Sequence, residues 1–320
     1  MLYLSADNLM EAVTYKEVMD AIEQAYALEM AGAYVMPPRI HLDHLNNTLL
    51  YMPCFLDTIF GTKILSLFPA NAAKNLPVIS GVVMLNDAVT GLPVAILDGA
   101  KVTAVRTGAV GGVAVRHTTP MHAGSVGLIG AGVQGYHQVL FACQARKIET
   151  VSIYDFSAVK MTALCEQLSR ALPQIRIKSV KSVEELLERS EIVITATPSL
   201  KPVLPDDEDL LRNKSYIGIG SYKPEMREFP QALYRLVDQV LIDTEHGLKE
   251  SGDLITPLNN GWIVESQIVR FGSFLAQKDR TACREKTTLF KTVGMALFDI
   301  VVAELIYKNA REKGIGTVLS

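Results

Sequence analysis

The chain has 320 residues, 49 % of them hydrophobic and 20 % charged, with a formal net charge of −3. That length accommodates two domains, each with its own core, and the composition is that of a folded chain rather than a disordered one. Both charge signs are dispersed and no basic block occurs, so binding to a nucleic-acid backbone lacks its electrostatic basis. Cys54, Cys143, Cys165 and Cys283 stand far apart without a C-x-x-C pair, which predicts reduced thiols and a cytoplasmic protein. The N-terminus lacks the basic start of a signal peptide. Asp87, Asp98 and Asp299 interrupt the longest apolar runs, so no membrane span is expected.

Residues 5 to 31 read as helical, with Ser5 as a cap and Val18, Met19, Ile22, Ala25 and Tyr26 at helical spacing. The prolines of "MPPRI" end that stretch. Between residues 39 and 100, short runs such as "TLLYMPCF", "FGTKILSLF", "SGVVMLND" and "PVAILDG" alternate with turn residues, the rhythm of an antiparallel meander. Residues 101 to 117 read as a helix lined with small residues, its glycines suggesting close packing against another backbone. After Pro120 strands alternate with helices. Strands are expected near 124–130, 149–155, 175–180, 191–197, 214–220 and 238–243, and helices over 133–145, 157–171, 182–189 and 225–236. This alternation predicts a parallel sheet with helical crossovers. A single long amphipathic helix is expected over 286–313, returning to the first domain.

The strand "SVGLI" runs into Gly130-Ala131-Gly132-Val133-Gln134-Gly135, a G-x-G-x-x-G turn that opens a helix. The next strand ends in Asp155, 20 residues after Gly135. Order and spacing match a dinucleotide-binding fingerprint. Gly130 permits the tight turn, Gly132 lets a pyrophosphate approach the helix N-terminus, and Gly135 lets helix and strand pack closely. Asp155 would accept hydrogen bonds from a ribose diol and repel a 2′-phosphate, which favours NAD(H) over NADP(H); NADP(H) stays open as the alternative. Thr195 and Thr197 end a later parallel strand, on the ligand side of such sheets.

Three cations stand in apolar surroundings: Arg39 after two prolines, Lys63 inside "FGTKILSLF" and Arg106 inside "TAVRTGAVGG". Together they suit a substrate carboxylate, and a desolvated lysine can pass protons. His41 and His44 form H-x-x-H without a third ligand cluster, a weak metal signal, and no metal site is assigned.

These residues resemble the ornithine cyclodeaminase and mu-crystallin family along nearly the whole chain. The resemblance rests on "PPRI", "YMP", "GTKILSLFPAN", "DAVTGLP", "TAVRTGA", "GLIGAGVQG", "IYDF", "EIVITATPS", "KESGDL" and "TLFKTVGMALFDI". It implies an α/β fold in which a Rossmann-type parallel-sheet NAD(P)-binding domain, residues 120–289, is inserted in a β-rich α+β substrate and dimerisation domain, residues 1–119 plus 290–320. It implies a homodimer. It implies that Arg39, Lys63 and Arg106 hold a substrate carboxylate near the nicotinamide, that Thr107 and the 130–135 loop face the cofactor, and that Lys291 and Thr292 lie on the nicotinamide side. It makes Asp243, Glu245 and Asp253 structural or cofactor-proximal. The shared chemistry is hydride transfer between nicotinamide and the α-carbon of an amino or imino acid.

Two positions depart from the cyclodeaminase pattern. Tyr222, in "GSYKPEMRE", stands where cyclodeaminases carry an aspartate, and Leu50 where they carry a glutamate. Both acids serve a second, cationic amine on the substrate, so their loss points to a substrate without one. The expectation is an NAD(P)H-dependent oxidoreductase of a small amino or imino acid, a ketimine or pyrroline-2-carboxylate reductase or an alanine-dehydrogenase-like enzyme, with Lys63 as proton donor. Tyr222 is a second catalytic candidate, or simply packs on the nicotinamide pocket. The alternatives are an ornithine cyclodeaminase with Glu225 or Glu228 replacing the lost acids, and a non-catalytic binding protein. Cys54 is expected to be a buried, inert thiol.

Overall fold

The computed structural model describes residues 1–74, 76–277 and 286–319; Cys283 lies outside the described residues. Two compact units are present, residues 1–106 with 295–320, and residues 107–294. The first contains β1 (Leu2–Leu4), α1 (Ala6–Ala12), α2 (Tyr15–Ala31), β2 (Ile40–His44), β3 (Asn47–Phe55), β4 (Ile59–Leu67), β5 (Ile79–Asp87) and β6 (Pro93–Asp98). The C-terminal helix Ala296–Lys313 and β15 (Thr317–Val318) complete it. The expected helical stretch 5–31 divides into two, because Thr14 and Glu17 form a capping box that starts α2 afresh.

The sheet order is β15-β1-β6-β5-β4-β3-β2, antiparallel from β2 through β6 as the meander reading requires. One face of β4 is buried, carrying Ile59, Gly61, Lys63 and Leu65, and the C-terminal helix packs on it. Gly61 permits that approach: a Cβ there would meet the Met84 carbonyl oxygen at 2.5 Å and Ile300 at 2.9 Å. Tyr26 packs edge-on to Phe298 of the helix at 5.0 Å. Lys63 therefore occupies a core position of an otherwise apolar face.

Helix α3 (Gly99–Thr118) runs through the division between the units. The second unit also contains β7 (Ser125–Ile129), α4 (Val133–Ala145), β8 (Thr150–Tyr154), α5 (Ala158–Ala171), β9 (Arg176–Ser179), β10 (Ile192–Thr195), β11 (Ser215–Gly218), β12 (Val240–Ile242), β13 (Ile268–Arg270) and β14 (Thr288–Lys291), with short helices between them. All the strands of its sheet are parallel, in the order β13-β12-β14-β11-β10-β7-β8-β9. Chain direction along the sheet reverses at β7, the switch point where open α/β sheets bind ligands.

Three expectations need correction. The stretch 286–313 is not one helix: β14 occupies 288–291, is wholly buried and pairs with β11 and β12, and the helix starts only after Gly294 at φ +75°. "TTLF" is a short apolar run whose burial decides for strand. The helix expected over 225–236 shrinks to Gln231–Leu236, because Pro230 offers no N–H and the amides of Glu228 and Phe229 donate instead to Asp253. Gly99 at the start of α3 does meet backbone, that of Gly81 and Val82, whereas within the helix Gly108 and Gly111 meet side chains, Gly108 facing Phe141 and His137 and Gly111 facing Gln138 of α4. That contact and the pairing of β14 carry the second unit from residue 107 to 294, past the boundaries expected at 119 and 289.

Candidate active site

In the first unit, β4 places Lys63 and α3 places Arg106 around one carboxylate, that of Asp299 in the C-terminal helix. Lys63 Nζ donates to Asp299 Oδ2 at 2.8 Å, and Arg106 Nε donates to Oδ1 at 2.9 Å. The three side chains are buried, Asp299 completely. Burial lowers the Lys63 ammonium to about 8; Asp299 opposes that fall, while Arg106 and Arg39 add to it. Arg106 and Lys63 hold the Asp299 carboxyl below its ordinary value against the effect of burial. Arg39 lies in the half-buried stretch before β2, near enough for its charge to reach Lys63. The structure thus brings the expected cations around Lys63 and adds an acid that sequence reasoning passed over.

Leu50 shares the Lys63 face of the sheet. On β3 and β4 Met52 pairs with Lys63 and Leu50 with Leu65, so Leu50, Met52 and Leu65 form an apolar patch beside the ammonium. Cys54 continues that row; burial pushes its thiol up to about 12, so it stays protonated and inert. His41 and His44 are exposed on β2, and among the described residues no group of three His, Cys, Asp or Glu side chains is arranged to hold a metal ion.

In the second unit the glycine turn has the dinucleotide geometry. Gly130 has φ +108°, and a Cβ there would sit 2.6 Å from the Ala196 carbonyl oxygen. Gly132 is the N-cap of α4 with no capping side chain, and a Cβ there would meet nothing within 4 Å. The first amides of α4 therefore open toward an anion, in a place that a pyrophosphate can approach. A Cβ on Gly135 would collide with the Gly130 carbonyl and crowd Leu128, which shows why helix and strand need glycine there. Asp155 Oδ2 accepts from the Ala131 amide at 2.8 Å and Oδ1 from the Ser157 amide at 2.9 Å, fixing the carboxylate beside the turn. Ala131 and Gln134 are half-buried and Val133 is exposed. These residues fit a dinucleotide.

Other expected cofactor contacts are turned inward. Lys291 is buried, its Nζ 3.4 Å from the Gly218 carbonyl and 3.9 Å from Asp253 Oδ2. Thr195 is fully buried, Thr197 gives its hydroxyl to Glu228, and Thr292 gives its hydroxyl to Asp243. Thr107 is buried and its carbonyl accepts from Gln138. Glu228 accepts from the Thr197 amide and hydroxyl and from the Gly220 amide, each at 2.8 Å. Burial and the neighbouring Glu228 raise Asp253 to about 6, opposed by Lys291. Asp243 accepts from the amides of residues 293 and 294, whereas Glu245 lies 3.9 Å from Arg270. Tyr222 is half-exposed, and burial and Glu225 raise its phenol further above 10, which weakens it as an acid.

The parallel sheet with its glycine turn and Asp155 places the protein among Rossmann-type dinucleotide-dependent oxidoreductases. The profile of the Ornithine cyclodeaminase/mu-crystallin family matches residues 1–314. The chain belongs to that family. It is 31 % identical over 325 residues to a Delta(1)-pyrroline-2-carboxylate reductase of Bacillus cereus, covering 99 % of this chain and 98 % of that one. It is 30 % identical over 322 residues to the alanine dehydrogenase of Archaeoglobus fulgidus, covering 99 % and 97 %. Among solved structures, Thermococcus litoralis Delta(1)-pyrroline-2-carboxylate reductase in complex with NADH and L-proline superposes with a TM-score of 0.91 at 33 % identity, over 100 % of both chains.

If Asp155 accepts from the ribose hydroxyls, as its place beside the glycine turn suits, Asp155→Ala is expected to weaken NADH binding about tenfold or more. NADPH binding is expected to hold or improve. Cofactor fluorescence titrations check this, and equal losses for both nucleotides would remove Asp155 from the ribose.

Proposed function

We propose that the protein is an NAD(H)-dependent reductase of a small cyclic or α-imino acid, acting in reverse as an amino-acid dehydrogenase. Lys63, with Arg106 and Arg39 around it and an apolar patch at Leu50 beside it, carries the reading. Arg106 spends Nε on Asp299, and its guanidinium is left to grip a carboxylate, assisted by Arg39. The nicotinamide, when bound, supplies or accepts the hydride at the α-carbon. Lys63 supplies the proton: the C=N π bond breaks, the imine nitrogen takes the lysine proton, and solvent reprotonates the amine. Leu50 and Met52 offer nothing to a distal ammonium, whose unpaired burial there would be costly. This favours pyrroline-2-carboxylate or a short aliphatic imine over ornithine. Glu228, the other acid considered for ornithine, is occupied by three hydrogen bonds. NADPH remains an alternative to NADH.

Reduction needs Lys63 charged, so it should fall as pH rises through about 8, the value to which burial brings the ammonium. Amine oxidation needs Lys63 neutral and should rise through the same range. Steady-state rates with NADH and pyrroline-2-carboxylate, or with pyruvate plus ammonia, read the first limb; L-proline or L-alanine with NAD+ reads the second. No NADH consumption with any of these substrates would reject the reading.

We further propose a cytoplasmic homodimer formed on the outer face of the β-rich sheet. Cys54, Cys143 and Cys165 are free thiols, in keeping with a reducing compartment. One row of the outer face joins Ile40, Tyr51, Ile64 and Val82, with Ile40 and Val82 exposed at 52 % and 38 %, apolar area of the kind oligomer contacts cover. Light scattering is expected to give twice the chain mass of 35.0 kDa; a monomer at micromolar concentration would contradict this.

A further inference from the structure

Asp299 is held by groups distant in sequence, 236 residues from Lys63 and 193 from Arg106. It lies in the first turn of the C-terminal helix, among the buried Leu297, Phe298 and Ile300. A carboxylate in such surroundings is costly unless each oxygen is satisfied. Here each oxygen takes one cation, at 2.8 and 2.9 Å, and the helix N-terminus favours the negative charge. We infer that Asp299 is the positioning residue of the site: one buried carboxylate that fixes the proton-donating lysine and the carboxylate-gripping arginine relative to each other. The inference rests on the reductase reading above.

The arrangement has a consequence for protonation. The groups facing Lys63 are Asp299 from the C-terminal helix, Arg106 from α3 and Arg39 from the segment before β2; Cys54 on β3 is neutral. Asp299 is the one anion among them. Without it, two arginines and burial all favour neutral lysine, and a neutral lysine cannot protonate an imine. Asp299 thus keeps Lys63 charged under the conditions in which reduction runs, and it does so without touching the substrate.

The test uses Asp299→Asn and Asp299→Ser, which remove the charge, and Asp299→Glu, which restores it. The first readout is the pH profile of kcat/KM for pyrroline-2-carboxylate reduction by the whole enzyme. The neutral variants are expected to move the basic limb down by about one pH unit or more, the usual influence of a paired charge, and to lose least activity at the acidic end. Asp299→Glu is expected to return the limb toward wild type. The second readout needs no turnover: in protein carrying 13C at the lysine ε-carbons, the resonance missing from Lys63→Met belongs to Lys63, and its titration midpoint should fall in the neutral variants. A loss of activity uniform in pH, with the Lys63 midpoint unmoved, would overturn the inference. Failure of both neutral variants to fold while Asp299→Glu folds would also overturn it, making Asp299 a structural counter-ion. If the wild type reduces no imino acid, the functional reading fails, and the Lys63 resonance still decides the role of Asp299.

Discussion

Lys63→Met is expected to leave NADH binding intact while kcat for imino acid reduction falls by about 10²- to 10⁴-fold, the usual contribution of a positioned proton donor. Methionine matches the length and apolar character of the lysine stem, so the packing under the C-terminal helix is retained. Two further effects act in opposite directions. Removing the ammonium relieves its desolvation, but it leaves Asp299 with Arg106 as its remaining partner in a fully buried place. A modest change in melting temperature is therefore expected, far smaller than the change in rate. Cofactor fluorescence and single-turnover kinetics separate the two. Turnover within a few-fold of wild type would remove Lys63 from proton transfer and return Tyr222 to consideration, despite its raised phenol.

Glu228→Ala is expected to cost about 4 kcal/mol of stability, because three part-buried hydrogen bonds to the carboxylate of a buried residue vanish and leave the Thr197 and Gly220 amides without their acceptor. The loss should appear in the unfolding of the second unit. Its single tryptophan, Trp262, packs against Tyr234 at 5.9 Å, and Tyr234 donates to the Asp253 carbonyl beside Glu228. Tryptophan fluorescence in urea reads that unit directly. A loss below about 1 kcal/mol would contradict the structural role. If the variant stayed stable but changed its substrate preference, the acid would serve a substrate amine, as the cyclodeaminase alternative requires.

Much of this was legible in the sequence, and the reasons are specific. The G-x-G-x-x-G turn and Asp155 form a local pattern, with every part within one β-α-β unit, so spacing alone carried it. Lys63 and Arg106 were visible as cations out of place among apolar neighbours. Asp299 carries the same signal, an acid inside "MALFDIVVAEL", and the sequence reading used it only to argue against a membrane span. Applying one criterion to both charge signs would have found it: three buried charges that no local partner satisfies imply one another.

The surroundings of the other expected cofactor residues were less legible, for a different reason. Lys291, Thr195 and Thr292 stand near the carboxyl ends of parallel strands, where ligands bind, but which way a side chain turns there depends on buried acids supplied by distant segments. Asp243 takes the Thr292 hydroxyl, Glu228 takes that of Thr197, and Asp253 lies 3.9 Å from the Lys291 ammonium; nothing in the spacing of 197 or 291 announces them. The strand at 288–291 was hidden by a helix-like run, and its pairing with β11 and β12 is a tertiary fact.

The central claim is that the protein moves a hydride onto the α-carbon of an imino acid. The direct measurement is incubation with nicotinamide cofactor doubly deuterated at C4, [4-2H2]NADH, and pyrroline-2-carboxylate, followed by mass spectrometry of the product. The account predicts proline carrying one deuterium at the α-carbon, with one NAD+ formed per proline. Unlabelled proline, or no proline and no oxidation of the cofactor, would contradict it.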